Sequence, residues 1–159
     1  MQNLKTISFL LIAVFFFLPL STIAQSNYVK TYCPIADSLS KVYEIPSALF
    51  LGIAIIESGA GKSRNAKLLK NHFGIVGRNK LLKSHGKKSR YKQYTNVSMS
   101  YIDFAKHLTK RKFYTLLKGN MNYQPWVDAM SKDNYSEMPK IWKQRVLSAI
   151  KHNRLTCPQ

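Results

Sequence analysis

From Ala48 to Ile56 the chain reads Ala-Leu-Phe-Leu-Gly-Ile-Ala-Ile-Ile, and no residue in that run is polar. A helix that is apolar on every side has no face to offer water, so other elements must wrap it. This requirement predicts a mainly α domain built around one buried helix from Ala48 to about Glu57. Pro46 suits its first turn, and Gly59 and Gly61 supply a left-handed stop behind Glu57 and Ser58.

The wrapping elements follow from apolar spacing. Ile35, Leu39 and Val42 predict a first helix over 28–44, and Ser63 to Lys70 reads as a short basic helix. Asn96 or Ser98 caps a helix to about Thr109, with Tyr101, Phe104, Ala105 and Leu108 on one face. Two short helices follow over 113–118 and 124–130. Pro139 opens a last one whose inward residues are Ile141, Val146, Ala149 and Ile150. Between Asn71 and Thr95, Gly74, Gly77 and Gly86 break up short apolar pieces, which predicts a loop with a small β-hairpin. The class is mainly α (α+β), one helical domain with a small β-hairpin lobe.

The N-terminus reads differently. Lys5 precedes the apolar stretch Phe9 to Leu18, then come Pro19 and the small-residue exit Ser21-Thr22-Ile23-Ala24. That is the layout of a secretory signal peptide over 1–24. The run is short for the roughly 20 residues a membrane-spanning helix needs. The expectation is an exported domain over 25–159, periplasmic or extracellular and cell-wall associated, with no stable membrane anchor. In an oxidising compartment Cys33 and Cys157 read as one disulfide joining the chain ends; two buried thiols are the alternative.

With 25 basic and 7 acidic residues the formal net charge is +18, which draws the chain to polyanions: nucleic acid, anionic lipid or a carboxylate-rich wall. Export argues against nucleic acid as the working partner. The four histidines show neither HxxxH nor HxH spacing, and no CxxC occurs, so neither metal nor other cofactor is expected.

The seven acids are Asp37, Glu44, Glu57, Asp103, Asp128, Asp133 and Glu137. Only Glu57 ends a wholly apolar helix. Burial and the negative end of the helix dipole both disfavour its charged form, which suits a proton donor. Pairing with Lys62 or Arg64 is the structural alternative for the same residue.

Around Glu57 the residues resemble a known family. Glu57-Ser58-Gly59-Ala60-Gly61-Lys62-Ser63 followed by Asn71-His72-Phe73-Gly74-Ile75-Val76-Gly77 is similar to the E-S-G-x-G-x-S and N-x-F-G-I-K-G pattern of the bacterial glucosaminidases of glycoside hydrolase family 73. Tyr91-Lys92-Gln93-Tyr94 resembles their F-R-x-Y segment. Ser100 to Phe104 resembles their S-x-x-D-[YF], and Asn134-Tyr135-Ser136 a degraded G-Y-A-T. The resemblance spans about Tyr43 to Leu155. It implies a lysozyme-like fold and an endo-β-N-acetylglucosaminidase acting on peptidoglycan glycan strands. In that reading Glu57 is the general acid, with Tyr135 as a catalytic or substrate-holding tyrosine. Asn71, Phe73 and Gly74 would form the cleft floor, and Tyr94 would contact substrate. Glycoprotein glycans are a further substrate of the same bond chemistry, and other anionic envelope polymers are possible partners.

The sequence departs from the pattern at Val76, where the family has Lys, around Tyr135, and in lacking any acid between Glu57 and Asp103. Many members carry a second Glu in that lobe. Its absence keeps open a non-catalytic cationic wall-binding protein, while a lytic transglycosylase, which also needs one Glu in an E-S context on a similar fold, is the enzymatic rival. The missing acid also points to a substrate-assisted mechanism, with Asp103 read as a structural post. The same interval holds eleven basic residues, from Lys62 to Lys92, which serve either as a basic rim for wall polymers or as a solubilising surface. If they form a rim, retention of the protein on insoluble peptidoglycan falls as salt rises, because exposed charges are screened beyond about 8 Å at physiological ionic strength. Equal retention at low and high salt assigns them to solubility alone.

Overall fold

The computed structural model describes residues 20–153, 155 and 157. The expected leader lies outside the described residues as far as Pro19. In chain order the described helices are α1 (Leu20–Tyr43), α2 (Ser47–Ser58), α3 (Arg64–Leu69), α4 (Leu81–His85), α5 (Val97–Thr109), α6 (Lys112–Leu117), α7 (Tyr123–Lys132) and α8 (Pro139–His152). Among the described residues no helix is long and apolar enough to cross a membrane.

α2 is the axis of the molecule. Leu49, Phe50, Leu51, Ile53 and Ala54 have no exposed surface, as an all-round apolar helix demands. α1 packs along one side and α8 along another, with α5 and α7 closing the remainder. Gly52 sets the α2–α8 approach, since a Cβ there would collide with the side chain of buried Ile150. α2 stops where Gly59 turns left-handed at φ 58° and returns its N–H to the carbonyl of Ile55. The Ser58 hydroxyl donates to the Ala54 carbonyl and accepts from the Gly61 N–H, so the turn after Glu57 is tied at both ends. Ser63 then caps α3 and Asn96 caps α5.

The phase of the outer helices corrects two sequence expectations. In α8 the buried stripe is Trp142, Val146, Ala149 and Ile150, at i, i+4, i+7 and i+8. Ile141 falls one position off it and stays 47% exposed. In α1, Ala36 and Leu39 face the core, whereas Val42 points to solvent.

The expected β-hairpin is corrected as well. Residues 75–78 and 90–93 run antiparallel through the single bridge Val76–Tyr91 and backbone bonds including Lys92 N–H to Ile75 O at 2.8 Å, with no strand among the described residues. Side chains add to this lacing. Asn79 Nδ2 donates to the carbonyls of Ser89 and Tyr91 at 2.9 and 2.8 Å, and α4 occupies the tip. Each such bond crosses the gap where a ladder would have, so the two segments stay paired without a regular strand.

Cys33 of α1 and Cys157 beyond α8 form a disulfide with Cα atoms 5.4 Å apart, 124 positions apart in sequence. Closing so long a loop removes unfolded-chain entropy worth up to about 5 kcal/mol on the chain-entropy model. Cys33→Ser is expected to lower the thermal midpoint by several degrees, and thiol labelling of the denatured wild type should find no free cysteine. Two reactive thiols per chain would contradict the bond.

Candidate active site

A cleft of about 660 Å³ runs across the end of α2, between the α7–α8 loop and the lobe. Glu57, Phe73, Gly74, Tyr91, Tyr135 and Trp142 line it, together with Arg90, Arg111 and Arg145. Glu57 stands on the last turn of α2, half-buried. Its Oε1 accepts a hydrogen bond from Trp142 Nε1 at 2.8 Å. Burial pushes the carboxyl above the ordinary range, while the Trp142 donor and the positive charge of Arg145 pull it back. The pairing with Lys62 or Arg64 that the sequence allowed is not among the ion pairs of the described residues.

The floor opposite Glu57 comes from the Asn71–Gly77 turn. Gly74 has φ 66°, and a Cβ there would sit 3.7 Å from Glu57 Oε2 and 3.9 Å from the Tyr91 ring. A side chain at Gly74 would therefore strain the backbone, and its Cβ would stand in van der Waals contact with the carboxylate. Phe73 stacks on Phe104 with centroids 4.2 Å apart and planes within 8° of parallel. Such pairs contribute about 0.5–1.5 kcal/mol beyond buried area, so this one fixes the floor against α5. Tyr135 donates to the Phe73 carbonyl at 3.3 Å and packs on Trp142 with centroids 5.0 Å apart. Burial and the nearby Glu57 charge hold its phenol far above the usual range, so it stays neutral.

Two of the sequence-expected residues lie elsewhere. Asn71 is buried, and its amide is fully used: Nδ2 donates to the carbonyls of Ile75 and Lys92, and Oδ1 accepts from the N–H groups of Phe73 and Ile75. It shapes the floor from behind and does not line the cleft. Tyr94 turns away and donates to Asp103 Oδ2 at 2.7 Å. Tyr91, its neighbour on the same short segment, takes the place at the cleft wall. Asp103 itself also holds Lys92 at 2.7 Å. Burial raises its carboxyl, but the Lys92 and Tyr94 bonds outweigh that and leave it below the ordinary range.

Sequence reasoning missed Trp142, Arg145 and Glu137. Trp142 was detectable as an inward residue from its spacing with Val146 and Ile150, although its partner lies 85 residues away. Glu137 and Asp133 both line the cleft; Asp133 is held by Arg111 at 3.1 Å. His72 is buried and bonds Tyr28 Oη through Nδ1 at 2.6 Å. Burial, helped by Lys70, pushes it down to about 4. Among the described residues no three His, Cys, Asp or Glu side chains gather as a metal site.

The raised Glu57 carboxyl makes a signed prediction. The folded state binds its proton more tightly than the unfolded chain does, so the stability it contributes is full below the unfolded value near 4.5 and is lost as pH rises through the folded value. Glu57→Gln carries no such charge. Its melting temperature should therefore gain on the wild type as pH rises from 4 to 8. A constant difference across that range would refute the burial assignment.

Comparison with known proteins agrees with this geometry. No curated protein sequence matches the chain significantly. The catalytic domain of the autolysin Auto from Listeria monocytogenes superposes with a TM-score of 0.67 at 19% identity, covering 84% of this chain and 86% of that one. A peptidoglycan hydrolase mutant from Sphingomonas sp. A1 gives 0.64 at 17% identity, covering 82% and 95%. The glycoside hydrolase domain of Salmonella typhimurium FlgJ gives 0.62 at 17% identity, covering 82% and 88%. These likenesses establish the fold. The family described as mannosyl-glycoprotein endo-beta-N-acetylglucosaminidase matches residues 33–155, and with the match spanning most of its length the chain belongs to this glucosaminidase family of glycoside hydrolases.

Proposed function

We propose that this protein is an exported peptidoglycan hydrolase that cleaves the β-1,4 bond after N-acetylglucosamine, with Glu57 as general acid. The observation that carries the reading is a half-buried carboxyl of raised proton affinity, aimed into a cleft by Trp142 and faced by Gly74. The family description, an autolysin and a peptidoglycan hydrolase among the structural relatives, and the signal-peptide pattern all support it.

The chemistry follows from which groups reach the cleft. Glu57 gives its proton to the glycosidic oxygen as the C1–O bond breaks. The 2-acetamido oxygen of the same N-acetylglucosamine closes on C1, the substrate-assisted route that needs no enzyme nucleophile. Glu57, now a carboxylate, takes a proton from the water that reopens the ring, and configuration at C1 is retained. Tyr135 suits the task of holding the acetamido group. Its hydroxyl hydrogen goes to Phe73, which leaves the phenol oxygen free to accept the amide N–H. Tyr94 is turned toward Asp103 and does not line the cleft, so it is not placed to hold that group.

Glu137 favours a second reading. It lines the same cleft and has no ion pair among the described residues, so it could activate a water for direct, inverting attack. Glu57→Gln is expected to slow glycan cleavage by roughly 10²- to 10⁴-fold without unfolding the protein. Freshly released product should show retained configuration by NMR, and Glu137→Gln and Asp103→Asn should both remain active. Inverted product with an inactive Glu137→Gln variant would establish the second reading. An anhydro-muramic end would make the enzyme a lytic transglycosylase.

A further inference from the structure

A second cavity, of about 820 Å³, opens in the lobe beside the catalytic cleft, and its walls include Arg78, Asn79, Leu82, Lys88 and Arg90. Arg90 lines both cavities, so the two are neighbours across one guanidinium group. The walls are firmly built. Asn79 spans them through the Ser89 and Tyr91 carbonyls and accepts from the Leu81 N–H at 3.0 Å. Gly77 presses its backbone against Lys92, where an added Cβ would come within 2.9 Å of that side chain.

The lining has a definite chemical character. Arg78, Lys88 and Arg90 make no ion pair among the described residues, and no acid occurs between Glu57 and Asp103 to neutralise them. Leu82 contributes an apolar side chain that is 55% exposed. No aromatic ring lines this cavity, so it lacks the flat surface on which a sugar stacks. Three cations lining one cavity beside an apolar side chain match a short peptide of small apolar residues and free carboxylates.

We propose that this cavity binds the peptide stem of the glycan strand whose sugars occupy the cleft, holding its free carboxylates on Arg78, Lys88 and Arg90. The proposal rests on the peptidoglycan reading and narrows it: the preferred substrate is stem-bearing rather than stripped glycan. It also separates peptidoglycan from neutral glycoprotein glycans, which carry no such peptide.

The test uses the full chain, wild type and an Arg78→Gln/Lys88→Gln double variant, both substitutions lying on exposed side chains outside the catalytic cleft. Glycan strands with stems intact are compared with the same strands stripped by an amidase, and kcat/KM is read from new reducing ends. An exposed ion pair is worth up to about fivefold in binding, so the wild type should prefer stem-bearing strands roughly tenfold. The double variant, which keeps Arg90, should cleave stripped strands at the wild-type rate and fall to about a twofold preference for stem-bearing strands. Equal wild-type rates on the two substrates, or a variant that keeps the preference, overturns the stem site alone. A wild type that releases no reducing ends from either substrate overturns the glycan-hydrolase reading and the stem site together. Inorganic polyphosphate is the third arm. Competition that is abolished in the variant while stems make no difference would reassign the cavity to phosphate polymers and overturn the proposal.

Discussion

The structure depends on giving a helix with no polar face a fully apolar surround. Once α2 occupies the centre, α1, α5, α7 and α8 have only its sides to pack against, and each presents the stripe that fits. The same constraint produces the site. A helix sunk this deeply emerges at its C-terminal end, and the first charged residue on it is Glu57. Its carboxyl reaches the cleft while still enclosed by Trp142, Tyr135 and the Asn71–Gly77 turn. Burial of the axis and the proton affinity of the acid therefore have one cause.

Two acids in this protein meet burial with opposite results. Glu57 has one neutral donor on one oxygen and a cation farther off, so desolvation prevails and its proton is held more tightly. Asp103 is also drawn out of water, but a lysine and a phenol bond directly to one of its oxygens, so the charged form prevails. The first arrangement suits a group that gives and takes a proton. The second suits a fixed anion, and here it fastens the lobe segment carrying Lys92 and Tyr94 to α5. The expectation that Asp103 serves as a structural post accords with this clamp.

Irregular backbone in the lobe is stabilised in the same economical way. Asn71 and Asn79 each use their amides to replace ladder bonds, one beneath the cleft floor and one across the lobe. With a few backbone bonds pairing the segments and asparagine amides satisfying further carbonyls, the lobe holds without a regular strand, and its surface remains available for charge. That division lets eleven basic residues crowd one segment without disturbing the core behind it.

How much of this was legible follows from the range of each interaction. Periodicity and apolar content are local, so the central helix, the helical class, Asn96 as one of two candidate caps of α5, and Glu57 as the acid beside the buried run were all readable from the residues alone. Cysteines near the two chain ends, behind an expected export signal, were enough to suggest the Cys33–Cys157 bond. Tertiary structure alone decided which side chains share the cleft. Trp142 meets Glu57 from 85 residues away, and Glu137 joins it from the loop that precedes α8. It also decided that Tyr91 and not Tyr94 faces the cleft, since the choice rests on whether a phenol finds Asp103 across the gap to α5. The hairpin expectation failed for the same reason. Short apolar pieces look alike whether a full ladder joins them or a single bridge supplemented by asparagine amides, and only the packed chain shows which donors reach which carbonyls.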